Sequence, residues 1–388
     1  MTISSDIDAL TIEDLRERGS AKWTRYPGNI GAFVAEMDYG TAPAVSQALI
    51  HSIETFQLGY LPAPTLQRLQ EAASAYLASQ VGWDVPAEWI RPLPDVLKGL
   101  EAAIELYTEP GAPVILPTPS YMPFFSVPKL SNREIIEVPM LENDGHYTLD
   151  LEGIDRALAG RKGLFILCNP YNPVGRVFTR DELLALSEVI EKNGARVFND
   201  EIHAPLVFGE HKHVPYPSIS EAAANHTITA ISASKAWNLP GLKCAQVVLS
   251  NAADAAVWDE KGQPFSKGAS VPGVIANTAA YTSGLQWLDE IKDYISANFD
   301  LLAELLAEHL PEARFRRPEG TYIGWVDWNA YDLSPDPATF FRENAGVALT
   351  NGADCGAPGV GYTRFILATP APILKQAVLQ MAEAVKNR

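Results

Sequence analysis

Thr227-Ile228-Thr229-Ala230-Ile231-Ser232-Ala233-Ser234-Lys235 decides the fold: a short strand-like run, then a serine, then a lysine just past the run's end. A buried strand accounts for 227–231. A lysine beyond its carboxyl end lies on the edge where open α/β sheets place their ligands. Similar runs stand at 113–116, 134–138, 164–167, 196–198 and 245–249, and helical spacing recurs at 65–80, 95–107, 151–158, 180–192 and 252–261. Strands alternating with helices predict an α/β fold with a mostly parallel sheet covered on both faces. After the Pro/Gly/Ser-rich stretch 262–273 the pattern changes. A long helical region at 275–310, strand-like 321–327, a helix at 337–344, strand-like 362–367 and a final helix from 372 predict a smaller α+β unit.

The 388 residues are enough for two or three such units. A hydrophobic content of 47% with 20% charged residues is that of an ordinary folded protein. The formal charge of -17 repels phosphate backbones and anionic lipid, so neither nucleic acid nor a membrane surface is expected as a partner. Three scattered cysteines, Cys168, Cys244 and Cys355, form neither a disulfide framework nor a C-x-x-C metal site, and a cytoplasmic setting is expected. The acidic N-terminus does not read as a secretory signal, and no apolar run reaches the ~18 residues of a membrane span.

Alone, Lys235 reads as a solvated surface lysine. Two chemical readings compete with that: a Schiff-base lysine for pyridoxal phosphate with Ser232 near the phosphate, or the S-x-x-K nucleophile of penicillin-recognising enzymes. The second lacks a K-T-G element. The first requires an upstream acid at a strand end to hold the ring nitrogen protonated, and Asn199-Asp200-Glu201-Ile202-His203 follows the run 196–198. Asp200 alone could equally cap a helix or turn. Asn169-Pro170-Tyr171-Asn172-Pro173-Val174-Gly175 follows the run 164–167; it has turn chemistry, and Asn172 also offers an amide donor for a cofactor oxygen. The ordered set N-P-x-N-P-x-G, D-E-x-H and S-x-x-K, each after a strand, is far more specific than any member.

On these motifs the chain resembles the fold type I pyridoxal-phosphate enzymes of the aminotransferase superfamily. Within them it is most similar to the MalY/PatB-type cystathionine beta-lyases, or C-S lyases. Further pointers are Lys22-Trp23, Phe33-Val34-Ala35-Glu36-Met37-Asp38-Tyr39, Leu58-Gly59-Tyr60, Thr118-Pro119-Ser120-Tyr121 and Ser234-Lys235-Ala236-Trp237-Asn238. The resemblance implies an N-terminal segment 1–45 packing with the small domain, a large cofactor-binding domain 46–275 and a small C-terminal domain 276–388. It implies Lys235 as the Schiff-base lysine, Asp200 against the pyridinium, Asn172 at the 3-oxygen with His203 nearby, and Tyr121 stacked on the ring. Ser232, Lys243 and the backbone N–H groups of Val96 and Leu97 are implied at the phosphate. Tyr60 is implied to reach the phosphate of a neighbouring subunit in a homodimer. Arg364 is implied to clamp the carboxylate of a small amino-acid substrate. Lys243 stands where many relatives have arginine, Asp95 where they often have glycine, and Ile366 where asparagine is common.

The implied activity is β-elimination from a cysteine S-conjugate such as cystathionine, giving a thiol, pyruvate and ammonia. An aminotransferase would use the same residues, and a cofactor-binding regulatory partner protein would show the same pocket. No second arginine can be assigned from sequence to a distal carboxylate. His211-x-His213 reads as a solvated loop rather than a metal site. Gly356, Gly359 and Gly361 read as turn glycines, and Trp83, Trp89, Trp258, Trp287, Trp325 and Trp328 as packing residues.

Overall fold

The computed structural model describes residues 3–388. Its main sheet has seven strands: β1 (Ile90–Leu93), β2 (Val114–Thr118), β3 (Ile135–Pro139), β4 (Leu164–Cys168), β5 (Arg196–Asp200), β6 (Thr227–Ile231) and β7 (Ala245–Leu249), in the order β1-β7-β6-β5-β4-β2-β3. β2, β4, β6 and β7 are buried at every position. Burial on both faces is why these strands read as short apolar runs rather than alternating ones. The pairings from β3 through β2, β4 and β5 to β6 are parallel, but β7 runs antiparallel to both β6 and β1. Neither that reversal nor β1, which contains Pro92, stood out from hydrophobic runs.

The principal helices are α1 (Pro43–Glu54), α2 (Ala63–Tyr76), α3 (Val96–Tyr107), α4 (Leu151–Leu158), α5 (Arg180–Lys192), α6 (Ala252–Lys261), α7 (Val271–Ser283), α8 (Leu285–His309), α9 (Pro337–Asn344) and α10 (Ala371–Lys386). The expected single helical region at 275–310 is two helices, α7 and α8, divided at Gly284. The Gly284 carbonyl accepts from Trp237 Nε1 at 2.9 Å, and a Cβ at Gly284 would lie 2.5 Å from that nitrogen. Close approach of the indole therefore demands glycine there. A second sheet, β8 (Arg314–Phe315), β9 (Ile323–Asp327), β10 (Thr350–Asn351) and β11 (Tyr362–Ile366), is antiparallel in the order β8-β9-β11-β10. No described helix is long and apolar enough to cross a membrane.

A strap from the N-terminal region joins the two sheets. Ile30–Gly31 pairs in parallel with Val347–Ala348, and the strap then runs through Phe33 to Asp38. Asn238, just past Lys235, holds it by accepting from Met37 N at 3.0 Å and donating to Met37 O at 2.9 Å. At its far end Asp38 is buried. Its carboxylate accepts from Lys22 Nζ at 2.8 Å and from Trp23 Nε1 at 2.7 Å, with both members of the ion pair almost wholly removed from water. The Lys22-Trp23 and Asp38 motifs are thus two halves of one anchor. Removing one partner leaves a buried charge uncompensated, which costs about 3–5 kcal/mol. Asp38→Ala should lower unfolding free energy by that amount in urea titrations; a loss below about 1 kcal/mol would show that the anchor is dispensable.

Candidate active site

The carboxyl ends of β2, β4, β5 and β6 open into one cavity of about 690 Å³. Register sets the level: Cys168 pairs with Asp200, and Asp200 with Ala230, so neighbouring strands deliver their following residues to the same edge. Tyr121 follows β2, Asn172 follows β4, Asp200 ends β5 with His203 just beyond, and Lys235 follows β6; all five line the cavity. Val96 enters from the first turn of α3, and Arg364 from the central strand β11 of the second sheet.

Lys235 Nζ donates to the Ala35 carbonyl of the strap at 2.9 Å, and Tyr322 Oη donates to the same oxygen at 2.9 Å. Burial, reinforced by the Arg364 cation, brings the Lys235 ammonium down to about 8, against the opposing pull of Glu36 and Asp200. Asp200 accepts from Ile202 N at 3.0 Å, but its own burial dominates and pushes its carboxyl up to about 7. Burial and the same two cations hold His203 neutral, well below its ordinary value. Arg364 donates to Phe33 O at 3.2 Å and to Asn172 Oδ1 at 3.3 Å, while its buried Nε has no hydrogen-bond partner among the described residues. The Asn172 turn is held from behind by Arg176, paired with Glu182 and Glu319 at 2.9 Å each.

Four sequence candidates stand elsewhere. Ser232 is buried behind the wall, where its hydroxyl donates to Cys244 O at 2.8 Å and accepts from Ser234 N at 3.0 Å. Lys243, in a left-handed backbone conformation, pairs with Asp95 at 3.3 Å on the exposed rim. Asp95 is also the cap of α3, accepting from Lys98 N, so this acid has its own cation beside the helix start. Leu97 follows Val96 in the first turn of α3, where backbone N–H groups have no acceptor within the helix. Tyr60 is fully exposed and away from the cavity of its own chain.

The solvated-loop reading of His213 is corrected: its side chain is only 3% exposed and its Nε2 lies 3.0 Å from the buried Glu201 carboxylate. Glu201 is buried, and its other carboxylate oxygen accepts from Asn199 Nδ2 and Tyr216 N. Among the described residues no group of three or more His, Cys, Asp or Glu is placed to hold a metal. Sequence reasoning missed the strap carbonyls, which are backbone atoms with no residue signature. It also missed Arg25, Tyr26, Arg342 and Asp354, which line the outer cavity from segments without a motif.

The raised Asp200 carboxyl makes stability pH dependent. Between its ordinary 3.8 and about 7 the native protein keeps a proton that the unfolded chain releases, so stability falls as pH rises through that window. By pH 8 the accumulated cost is on the order of 4 kcal/mol. Cofactor-free Asp200→Asn should therefore exceed the cofactor-free parent in stability at pH 8 by up to that amount and match it near pH 4. Urea unfolding at the two pH values checks this, and a constant difference would contradict it.

The aminotransferase class I and II family model matches residues 34–378. A cystathionine beta-lyase of Corynebacterium glutamicum is 37% identical, with 89% of this chain and 91% of that protein covered. The cystathionine beta-lyase PatB of Bacillus subtilis is 32% identical over 89% of this chain and 91% of its own. A solved structure of the PLP-bound C-S lyase from Staphylococcus hominis superposes with a TM-score of 0.88 at 26% identity, covering 98% of this chain and 99% of that one. With strand order, cavity and motif placement in agreement with that match, the chain belongs to the class I and II aminotransferase family.

Proposed function

We infer that the protein is a pyridoxal-phosphate-dependent carbon-sulfur β-lyase, cleaving cystathionine or related L-cysteine S-conjugates to a thiol, pyruvate and ammonia. The observation that carries this reading is a buried lysine amine brought toward neutrality in one cavity with a buried carboxyl and an arginine that has no carboxylate partner. The cystathionine beta-lyase names of the C. glutamicum and B. subtilis relatives favour elimination over transamination.

The residues fit the cofactor. Asp200, reluctant to ionise alone, suits a cationic ring nitrogen that would restore its charge. Buried His203 Nδ1 has no hydrogen-bond partner among the described residues. Asn172 would donate its amide to the 3-oxygen, Tyr121 would stack on the ring, and the N–H groups of Val96 and Leu97 would receive the phosphate, with Lys243 supplying charge from the rim. Ser232 would join them by exchanging its bond to Cys244 O. Pyridoxal phosphate, when bound, supplies an electron sink that stabilises negative charge at the substrate's α-carbon.

Around it the chain has three tasks. Arg364 binds the α-carboxylate through its guanidinium fork. Lys235 Nζ, free of most of its excess basicity, takes the α-proton as general base. The Cβ–S bond then breaks, sulfur leaves with the bonding pair as thiolate and takes up a proton, and released 2-aminoacrylate adds water to become pyruvate and ammonia. The reaction is cytoplasmic in this reading.

The site is completed by a second copy. Ile50, Ile53, Phe56, Leu58 and Tyr60 are all exposed along α1 and the turn after it, an apolar strip of the kind that marks an interface. Tyr60 of the partner subunit would reach the phosphate across it.

Purified protein given cystathionine should release thiol and pyruvate with no added keto acid. Amino-group exchange that depends on a keto acid, without thiol release, would assign an aminotransferase instead. Lys235→Ala should abolish turnover. Mixing strongly impaired Tyr60→Phe subunits with Lys235→Ala subunits should restore activity toward about a quarter of the sites if subunits re-pair at random; no recovery would refute the shared site.

A further inference from the structure

The outer end of the cavity holds two guanidinium groups on one aromatic ring. Arg25 Cζ lies 5.6 Å from the Tyr26 ring centroid and Arg342 Cζ lies 5.5 Å from it. Arg25 is also 5.8 Å from the Phe33 ring, which meets Tyr26 edge-on at 5.1 Å. Like charges separated by a ring gain from its electron-rich face but still repel each other. Among the described residues no carboxylate pairs with both. Arg25 has no ion pair among the described residues, and Arg342 has only Glu343, 3.1 Å away and itself largely exposed. Arg25, Tyr26, Phe33 and Arg342 line the same cavity as Lys235 and Arg364.

Phe33 sets the spacing between the cavity's two basic ends. Its carbonyl accepts from Arg364 at 3.2 Å while its ring lies against Arg25. The Arg25 site therefore lies within about one residue's length of the Arg364 site, a separation that a substrate bearing an acid at each end can span. We propose that Arg25 and Arg342 bind a carboxylate carried on the leaving thiol, so that the protein selects cysteine S-conjugates whose sulfur substituent ends in an acid. This rests on the lyase reading for its reaction, though not for its binding. Asp354, on the same wall, adds an acceptor for an ammonium when the leaving group is itself an amino acid.

Matched conjugates test the proposal: S-(2-carboxyethyl)-L-cysteine against S-propyl-L-cysteine, and S-(3-carboxypropyl)-L-cysteine against S-butyl-L-cysteine. Members of each pair have the same number of chain carbons and thiols of similar leaving ability. The holoenzyme should favour the acid at one length or both by about tenfold or more in kcat/KM. Arg25→Gln and Arg342→Gln, both at exposed or half-exposed positions that folding tolerates, should each reduce that ratio at least about threefold. The double variant should bring it near one. Added salt should shrink the parent ratio and leave that of the double variant unchanged. Equal efficiencies at both lengths in the parent, or variants that keep the parent ratio, would overturn the proposal. If no conjugate releases thiol, the lyase reading fails. Titration of each conjugate against the cofactor's absorbance then still decides the inference, because equal dissociation constants within both pairs refute it and a preference for the acids that the double variant loses supports it.

Discussion

Two cations, Lys235 and Arg364, share a water-poor cleft with one reluctant carboxyl, and the surrounding structure is arranged around that imbalance. Charge cannot be buried without compensation. Here much of the compensation is dipolar: the Ala35 carbonyl faces Lys235, and the Phe33 carbonyl faces Arg364. A carbonyl stabilises an ammonium without fixing it as a carboxylate would. The lysine therefore stays basic enough to capture a proton and labile enough to release one. A carboxylate at the position of Ala35 O would hold the ammonium permanently charged.

The two sheets make this arrangement possible. The parallel strands supply Asp200 and Lys235 from consecutive strand ends, a position that register enforces. The antiparallel sheet supplies Arg364 from a central strand, where Trp325 and Thr350 flank it. The charged groups of the two sheets are linked through uncharged polar groups. The strap touches both, and Arg364 also bonds Asn172 of the parallel sheet, so substrate-facing and base-bearing elements are tied by a short polar chain. Rigid elements placed on either side of a reacting atom are what orientation in catalysis requires.

Much of this was legible in the sequence because strand ends are legible. Apolar runs mark where strands stop, and polar motifs directly after three of them must share an edge if the strands are parallel. That logic brings Asn172, Asp200 and Lys235 together, while Tyr121 comes from the family resemblance. It has no grip on β7, whose composition is that of its parallel neighbours although its direction is reversed, nor on the break at Gly284, which exists because an indole approaches from elsewhere. Arg25 and Arg342 were invisible for a similar reason, since they meet only through Tyr26 and are 317 positions apart. His213 went astray because its flanks are exposed while its own ring turns inward to Glu201.

The strap also has a temporal consequence. Its partners are far along the chain: Ala35 meets Lys235 and Tyr322, Phe33 meets Thr350 and Arg364, and Ile30 pairs with Val347. During synthesis from the N-terminus, the strands of the main sheet, between residues 90 and 249, can associate while the strap still lacks half its docking surface. Phe33 must wait for Thr350 and Arg364 until the last fifth of the polypeptide has been made, although Met37 can meet Asn238 earlier. The cleft therefore closes late, and a ribosome stalled before β11 would leave a sheet with its lysine in place and no arginine opposite.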